Sequence, residues 1–221
     1  MSKTDGDQAL YQIIEEIDHV ALDFLAVSQE EIDSALKAVS PELLKVMEQS
    51  KENIWSFHQK QVRQGFVSTE DSGVVMGQRI LPLARVGVYV PGGTAAYPST
   101  VLMDVLPAKI AGVKKIVMVT PTDNEGNVPA AILAAASIAG VDEIYKVGGA
   151  HGVAALAYGT ETIPKVDKIV GPGNIYVATA KKMVYGEVDI DMIAGPSDVL
   201  IVADHSASSL DRSGSSGTGR A

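Results

Sequence analysis

Four short stretches hold most of the residue types that could do chemistry. They are Tyr89-Val90-Pro91-Gly92-Gly93, Val147-Gly148-Gly149-Ala150-His151, Gly171-Pro172-Gly173-Asn174 and Gly195-Pro196-Ser197-Asp198. The chemistry they suggest is recognition of anions and hydroxyls. Glycine lets a backbone turn sharply or approach a ligand closely, and three of the stretches lead toward helical patterns whose first N–H groups could face a phosphate. A strand-to-helix turn needs glycine in any case, so one such stretch alone says little. Four on one edge point to a ligand crevice, without naming the ligand.

Other signatures are missing from the sequence. No G-x-G-x-x-G follows a strand pattern, and there is no G-x-x-x-x-G-K-[ST], no H-E-x-x-H, and no G-x-S-x-G in the α/β region. The four histidines, His19, His58, His151 and His205, are scattered without ligand spacing, so metal binding by this chain alone is not expected. Cysteine is absent, which rules out disulfides and thiolate sites.

The elements that must position these stretches follow a strand, loop, helix rhythm from Arg85 onward. Strands are predicted at Val86–Val90, Lys115–Thr120, Glu143–Val147, Lys168–Val170 and Val199–Ala203. Helices are predicted at Thr100–Ala111, Pro129–Ala139, Gly152–Tyr158 and Tyr176–Tyr185. Short, near-continuous apolar strands alternating with helices predict an α/β fold: a Rossmann-like, mostly parallel sheet with helices on both faces. The loops then lie outside the carboxyl ends of the strands.

An N-terminal helical segment, residues 1–65, precedes this region. Leu10, Ile13, Ile14 and Ile17 recur at helical spacing. Ser28 with Glu31 forms a capping box before a helix over Ile32–Val39. Ser40-Pro41 opens a further helix, whose stripe Leu43, Met47, Ile54 and Phe57 runs toward a stop at Gly65. Trp55 and Phe57 are expected to pack rather than bind, and His19 and His58 to sit at polar edges. Residues 66–85 predict a hairpin or extended arm, residues 86–205 the α/β domain, and residues 206–221, Ser- and Gly-rich without periodicity, a disordered tail.

The 221 residues carry a net charge of −9, which argues against a nucleic-acid or anionic-membrane surface. Of the imbalance, residues 1–70 hold 13 acids against 6 bases, so the loop-bearing region is the less acidic part. No apolar run reaches membrane-spanning length, and the N-terminus lacks the order of a signal peptide. These features predict a cytoplasmic protein that handles small molecules.

The strings GVYVPGGTAAYPSTVLM (87–103), VGGAHGVAALAYGTE (147–161), KIVGPGNIYVATAK (168–181) and DMIAGPSDVLIVAD (191–204) closely resemble the histidinol dehydrogenase family. So do GDQAL (6–10), FHQKQ (57–61) and GQRILPLARVGVYVPGG (77–93). The resemblance implies NAD-dependent oxidation of L-histidinol to L-histidine through the aldehyde, in homodimers with one zinc ion per site. It implies NAD contacts at Tyr89, at His151 where the family has glutamine, and at Asn174, and a substrate contact at Ser197. Asp198 stands where the family usually has glutamate. The family's zinc ligands and its catalytic Glu-His pair have no counterpart here, so no catalytic residue and no metal ligand is assigned. The likeness stops near 205–208, which implies roughly the first half of such an enzyme, inactive by itself, with a tail from a frameshift or an abrupt truncation. The alternatives are a dehydrogenase of the same family for another amino alcohol or diol, and a non-catalytic nucleotide-binding fragment.

Overall fold

A computed structural model describes residues 6–92 and 96–193. Five parallel strands form its centre: β3 (Arg85–Tyr89), β4 (Lys115–Val119), β5 (Glu143–Tyr145), β6 (Lys168–Val170) and β7 (Asp189–Ile190), in the order β5-β4-β3-β6-β7. Preceding them, β1 (Phe66–Thr69) and β2 (Val75–Gln78) form a separate antiparallel hairpin.

The strands are buried on both faces. Val86, Val88, Ile116, Met118 and Ile144 point into one core, shared with α2 (Gln29–Ala38), α3 (Pro41–His58), α4 (Pro98–Ile110) and α5 (Ala130–Ala139). Tyr89, Val117, Val119, Tyr145 and Ile169 point into the other, with α1 (Gly6–Ile13), α6 (Gly149–Tyr158) and α7 (Ile175–Val184). This period-2 alternation between two covered faces is why the strand sequences read as continuously apolar. The expected α/β class, parallel sheet and two helical layers are all present.

Local chemistry fixes the helix ends. Ser28 Oγ accepts from Glu31 N while Glu31 returns a bond to Ser28 N, and Ser40 Oγ accepts from Leu43 N with Pro41 in the first turn. The helices of the N-terminal segment serve both faces of the sheet: α2 and α3 pack on α5 and α4, and α1 touches α6.

Several sequence expectations shift. The first helix passes at Ile14 into a π-helical turn that runs to Asp18. The wider turn breaks the helical spacing, so Leu10 and Ile14 are buried while Ile17 is exposed. Trp55 and Phe57 are not packed into a core; they are 40% and 61% exposed, because α3 buries only one narrow face against α4. Helix α6 begins at Gly149, three residues earlier than expected, which places His151 inside its first turn. Strand β7 was not expected. The predicted strand Val199–Ala203 and residues 206–221 lie outside the described residues.

Candidate functional site

The strand order contains a switch. The chain leaves β3 toward β4 on one side and leaves β6 toward β7 on the other, while β3 and β6 are neighbours. In open parallel sheets the two loops that part there leave a crevice at the carboxyl edge, where ligands bind. Here those loops begin at Val90-Pro91-Gly92 and at Gly171-Pro172-Gly173-Asn174.

Tyr89 closes β3 and is buried, at 3% exposure. Its hydroxyl accepts a hydrogen bond from Gly149 N at 3.0 Å. Burial pushes the phenol above its ordinary range; the Gly149 N–H opposes this and the carboxylate of Asp18 adds to it. His151 lies in the first turn of α6. Its Nε2 is buried without a hydrogen bond, 3.6 Å from Asp18 Oδ2. Burial lowers the imidazole's proton affinity, and Asp18 opposes that shift.

The glycines in these loops are demanded by close approach. A Cβ on Gly92 or Gly148 would fall 2.4 Å or 2.6 Å from atoms of the Pro121 ring, so the loops after β3, β4 and β5 converge on one proline. A Cβ on Gly171, whose φ is +115°, would fall 2.1 Å from Tyr89 O.

Asn174 is exposed and caps α7: its Oδ1 accepts from Tyr176 N and Val177 N, both at 3.1 Å. Only its amide nitrogen remains for a ligand. The structure thus brings Tyr89 and His151 together through Gly149 and sets Asn174 on the adjoining loop. Ser197 and Asp198 lie outside the described residues.

Two features escaped sequence reasoning. Asp18 is distant in sequence, on a helix that showed only an apolar stripe, and nothing in the sequence connects it to His151. Lys181 did leave a signal: it stands between Val177 and Val184 on the buried side of α7. Its ammonium is buried and donates to Gly171 O at 2.9 Å and to Asp191 Oδ1. Asp191 Oδ2 accepts from Gly171 N at 2.9 Å. The pair therefore holds both backbone polar groups of Gly171, and with them the start of the Asn174 loop. Nearby, Asp104 Oδ2 is buried without a hydrogen bond. Burial, and secondarily Asp191, pushes this carboxyl up to about 7, against the pull of Lys181.

A family model for histidinol dehydrogenase matches residues 2–210. The chain belongs to the histidinol dehydrogenase family. It is 62% identical over 205 residues to the histidinol dehydrogenase of Listeria monocytogenes and 58% identical to that of Streptococcus mutans, covering 93% of this chain and 48% of each relative. The crystal structure of histidinol dehydrogenase from Elizabethkingia anophelis matches with a TM-score of 0.88 at 42% identity, over 93% of this chain and 48% of that one. The chain thus spans about half the length of these histidinol dehydrogenases, and its α/β fold is the family's. Among the described residues, no three His, Asp or Glu side chains cluster so as to hold a metal ion, and no helix is long and apolar enough to cross a membrane.

Proposed function

We propose that these 221 residues supply the cofactor-facing part of a histidinol dehydrogenase, which oxidises L-histidinol to L-histidine through the aldehyde in histidine biosynthesis. NAD, when bound, accepts the hydride. Tyr89, His151 and Asn174 face it at the switch crevice, with Ser197 directed to the substrate. The observation that carries this reading is the Tyr89 Oη–Gly149 N contact beside the Asn174 loop, which joins two candidate loops at the place where such a sheet binds ligands. The residues suit a dinucleotide. His151 is a buried imidazole that turns Nε2 toward Asp18 without a hydrogen bond, the α6 N-terminus opens at Gly149, and Asn174 keeps an amide donor. The described residues do not suit zinc; zinc binding and the acid–base pair would belong to residues outside the matched half of the family.

The remaining parts of the reading are a cytoplasmic location and a homodimer. No observation favours another amino alcohol or diol as substrate. Isothermal titration of the chain with NAD tests the proposal. Saturable binding is expected, weakened about tenfold by Asn174→Ser, which keeps the helix cap but removes the amide donor, as loss of one ligand hydrogen bond does. The absence of heat at millimolar NAD overturns the cofactor reading. With L-histidinol, NAD and zinc supplied, the isolated chain is expected to show no turnover, read as NADH absorbance.

A further inference from the structure

His151 has one charged neighbour that the cofactor reading leaves unused. Asp18 ends the π-helical turn and brings Oδ2 to 3.6 Å from His151 Nε2. The imidazole is 8% exposed and the Asp18 side chain 35%. The ring also lies against Gly149, where an added Cβ would fall 2.9 Å from Cε1 and 3.1 Å from Nδ1. The ring therefore touches a carboxylate and a glycine, and a Cβ on that glycine would displace it.

Asp18 is placed there by the N-terminal segment. Leu10 and Ile14 are buried in the core shared with α6. Asp7 ties α1 to the loop after α6 through the Thr162 hydroxyl. Immediately after Asp18, His19 turns left-handed at φ 57° and ends the turn. Among the described residues, Asp18, from the π turn, is the charged group that acts on the His151 ring, while Tyr89, from β3, reaches the same turn of α6 only through Gly149 N. Tyr89 is a neutral phenol whose hydroxyl is engaged by Gly149 N.

The chemistry follows from the donor count. A neutral imidazole has one N–H and one lone pair, and an ionised carboxylate only accepts. A carboxylate beside Nε2 favours the proton on Nε2, which leaves Nδ1 as an acceptor. A glutamine at this position would offer both a donor and an acceptor without such control.

We propose that Asp18 is a positioning residue for His151, holding the ring as its Nε2–H tautomer so that Nδ1 meets a hydroxyl or amide donor of the bound cofactor. The second half of this statement rests on the cofactor reading above; the Asp18–His151 pairing does not.

The experiment is nitrogen-15 NMR of the His151 ring in the 221-residue chain, with and without Asp18→Asn. The expected result is an Nε2–H tautomer in the unaltered chain. In Asp18→Asn the ring pKa should fall by about one unit, the lower end of what a facing opposite charge supplies, and Asp18→Glu should restore it in part. A ring with its proton on Nδ1 in the unaltered chain overturns the proposal without any variant, and so does a ring pKa that Asp18→Asn leaves in place.

NAD affinity adds the second readout. Asp18→Asn is expected to weaken binding about fivefold when residue 151 is histidine, and to leave it unchanged in His151→Gln. This is the signature of action through the ring, as a double-mutant cycle reports it. Equal losses in both backgrounds overturn the proposal. If no form binds NAD, the cofactor reading and the use of Nδ1 fail together, while the ring titration still decides the pairing.

Discussion

Asn174 has a capping role and a proposed NAD contact that single substitutions can separate. Its side-chain oxygen caps α7 while its amide nitrogen stays free. Asn174→Ala should cost about 1 kcal/mol of stability, the usual loss when a capping residue becomes alanine, and should remove the proposed NAD contact as well. Asn174→Ser should melt within a degree or two of the unaltered chain, because serine caps about as well as asparagine. Thermal melts followed by circular dichroism compare the two, and equal destabilisation by both would refute the capping role. Gly171 offers a sharper test. Its φ of +115° and the 2.1 Å approach of a hypothetical Cβ to Tyr89 O leave no room for alanine. Backbone, not a flexible side chain, is what the new atom would meet. Gly171→Ala is therefore expected to cost several kcal/mol, at the extreme of single-residue effects, read as loss of the cooperative unfolding transition. Gly171 thus has a structural reason to be glycine.

At the scale of elements, α4, α7 and β7 meet around Lys181, Asp191 and Asp104. Lys181 and Asp191 satisfy each other and Gly171, but Asp104 is left with a buried oxygen and no hydrogen bond. Its carboxyl titrates near 7 when folded against an ordinary 3.8, so the folded chain holds this proton more tightly than the unfolded chain. The stability contributed by the protonated carboxyl is fully present below about pH 4 and is lost as pH rises through 7. The loss is on the order of 2–4 kcal/mol, taking about 1.4 kcal/mol per unit and allowing for partial solvent access. Asp104→Asn should remove this titration. Urea unfolding from pH 5 to pH 8 should then show a shallower fall in stability than in the unaltered chain, and parallel slopes would rule the effect out. Much of the framework around this cluster was legible in the sequence. The Ser28–Glu31 box, the Ser40-Pro41 helix start, the hairpin and four of the five parallel strands follow from local patterns that tertiary packing did not overrule. The missed features are the ones local patterns do not encode. The π turn that carries Asp18, the early start of α6 that carries His151, and the two-residue β7 each depend on what packs across from them. Lys181 was visible as a charge within an apolar stripe, but its partner Asp191 could be found only once the β6–β7 crossover was known.

For the whole molecule, the question is which apolar surface the fold leaves uncovered. All eight strand residues of the hairpin are exposed, with Phe66 and Met76 on one face and Val67 and Val75 on the other. A two-stranded hairpin with neither face packed is marginal in water. Beside it, a groove of about 690 Å³ runs between α4 and β6, walled by Ile80, Leu81 and Leu83 and floored by Val86 and Val170. The helices α4 and α5 cover this face of the sheet over β3, β4 and β5, whereas over β6 the groove is open. Soluble monomers rarely leave contiguous apolar surface of this kind bare, and the chain spans about half the length of its curated relatives. The isolated chain is therefore expected to self-associate as its concentration rises, seen as a rising mass in light scattering coupled to size exclusion, and to bind an apolar dye in its native state. Replacing Phe66 and Val67 by lysine, one on each face of β1, should reverse the association, since lysine on an exposed strand edge opposes pairing with another chain. These positions touch nothing in the sheet cores, so the melting temperature should stay within a few degrees. A double variant that associates as strongly as the unaltered chain would move the sticky surface from the hairpin to the groove, where Leu81→Lys becomes the substitution that restores the monomer.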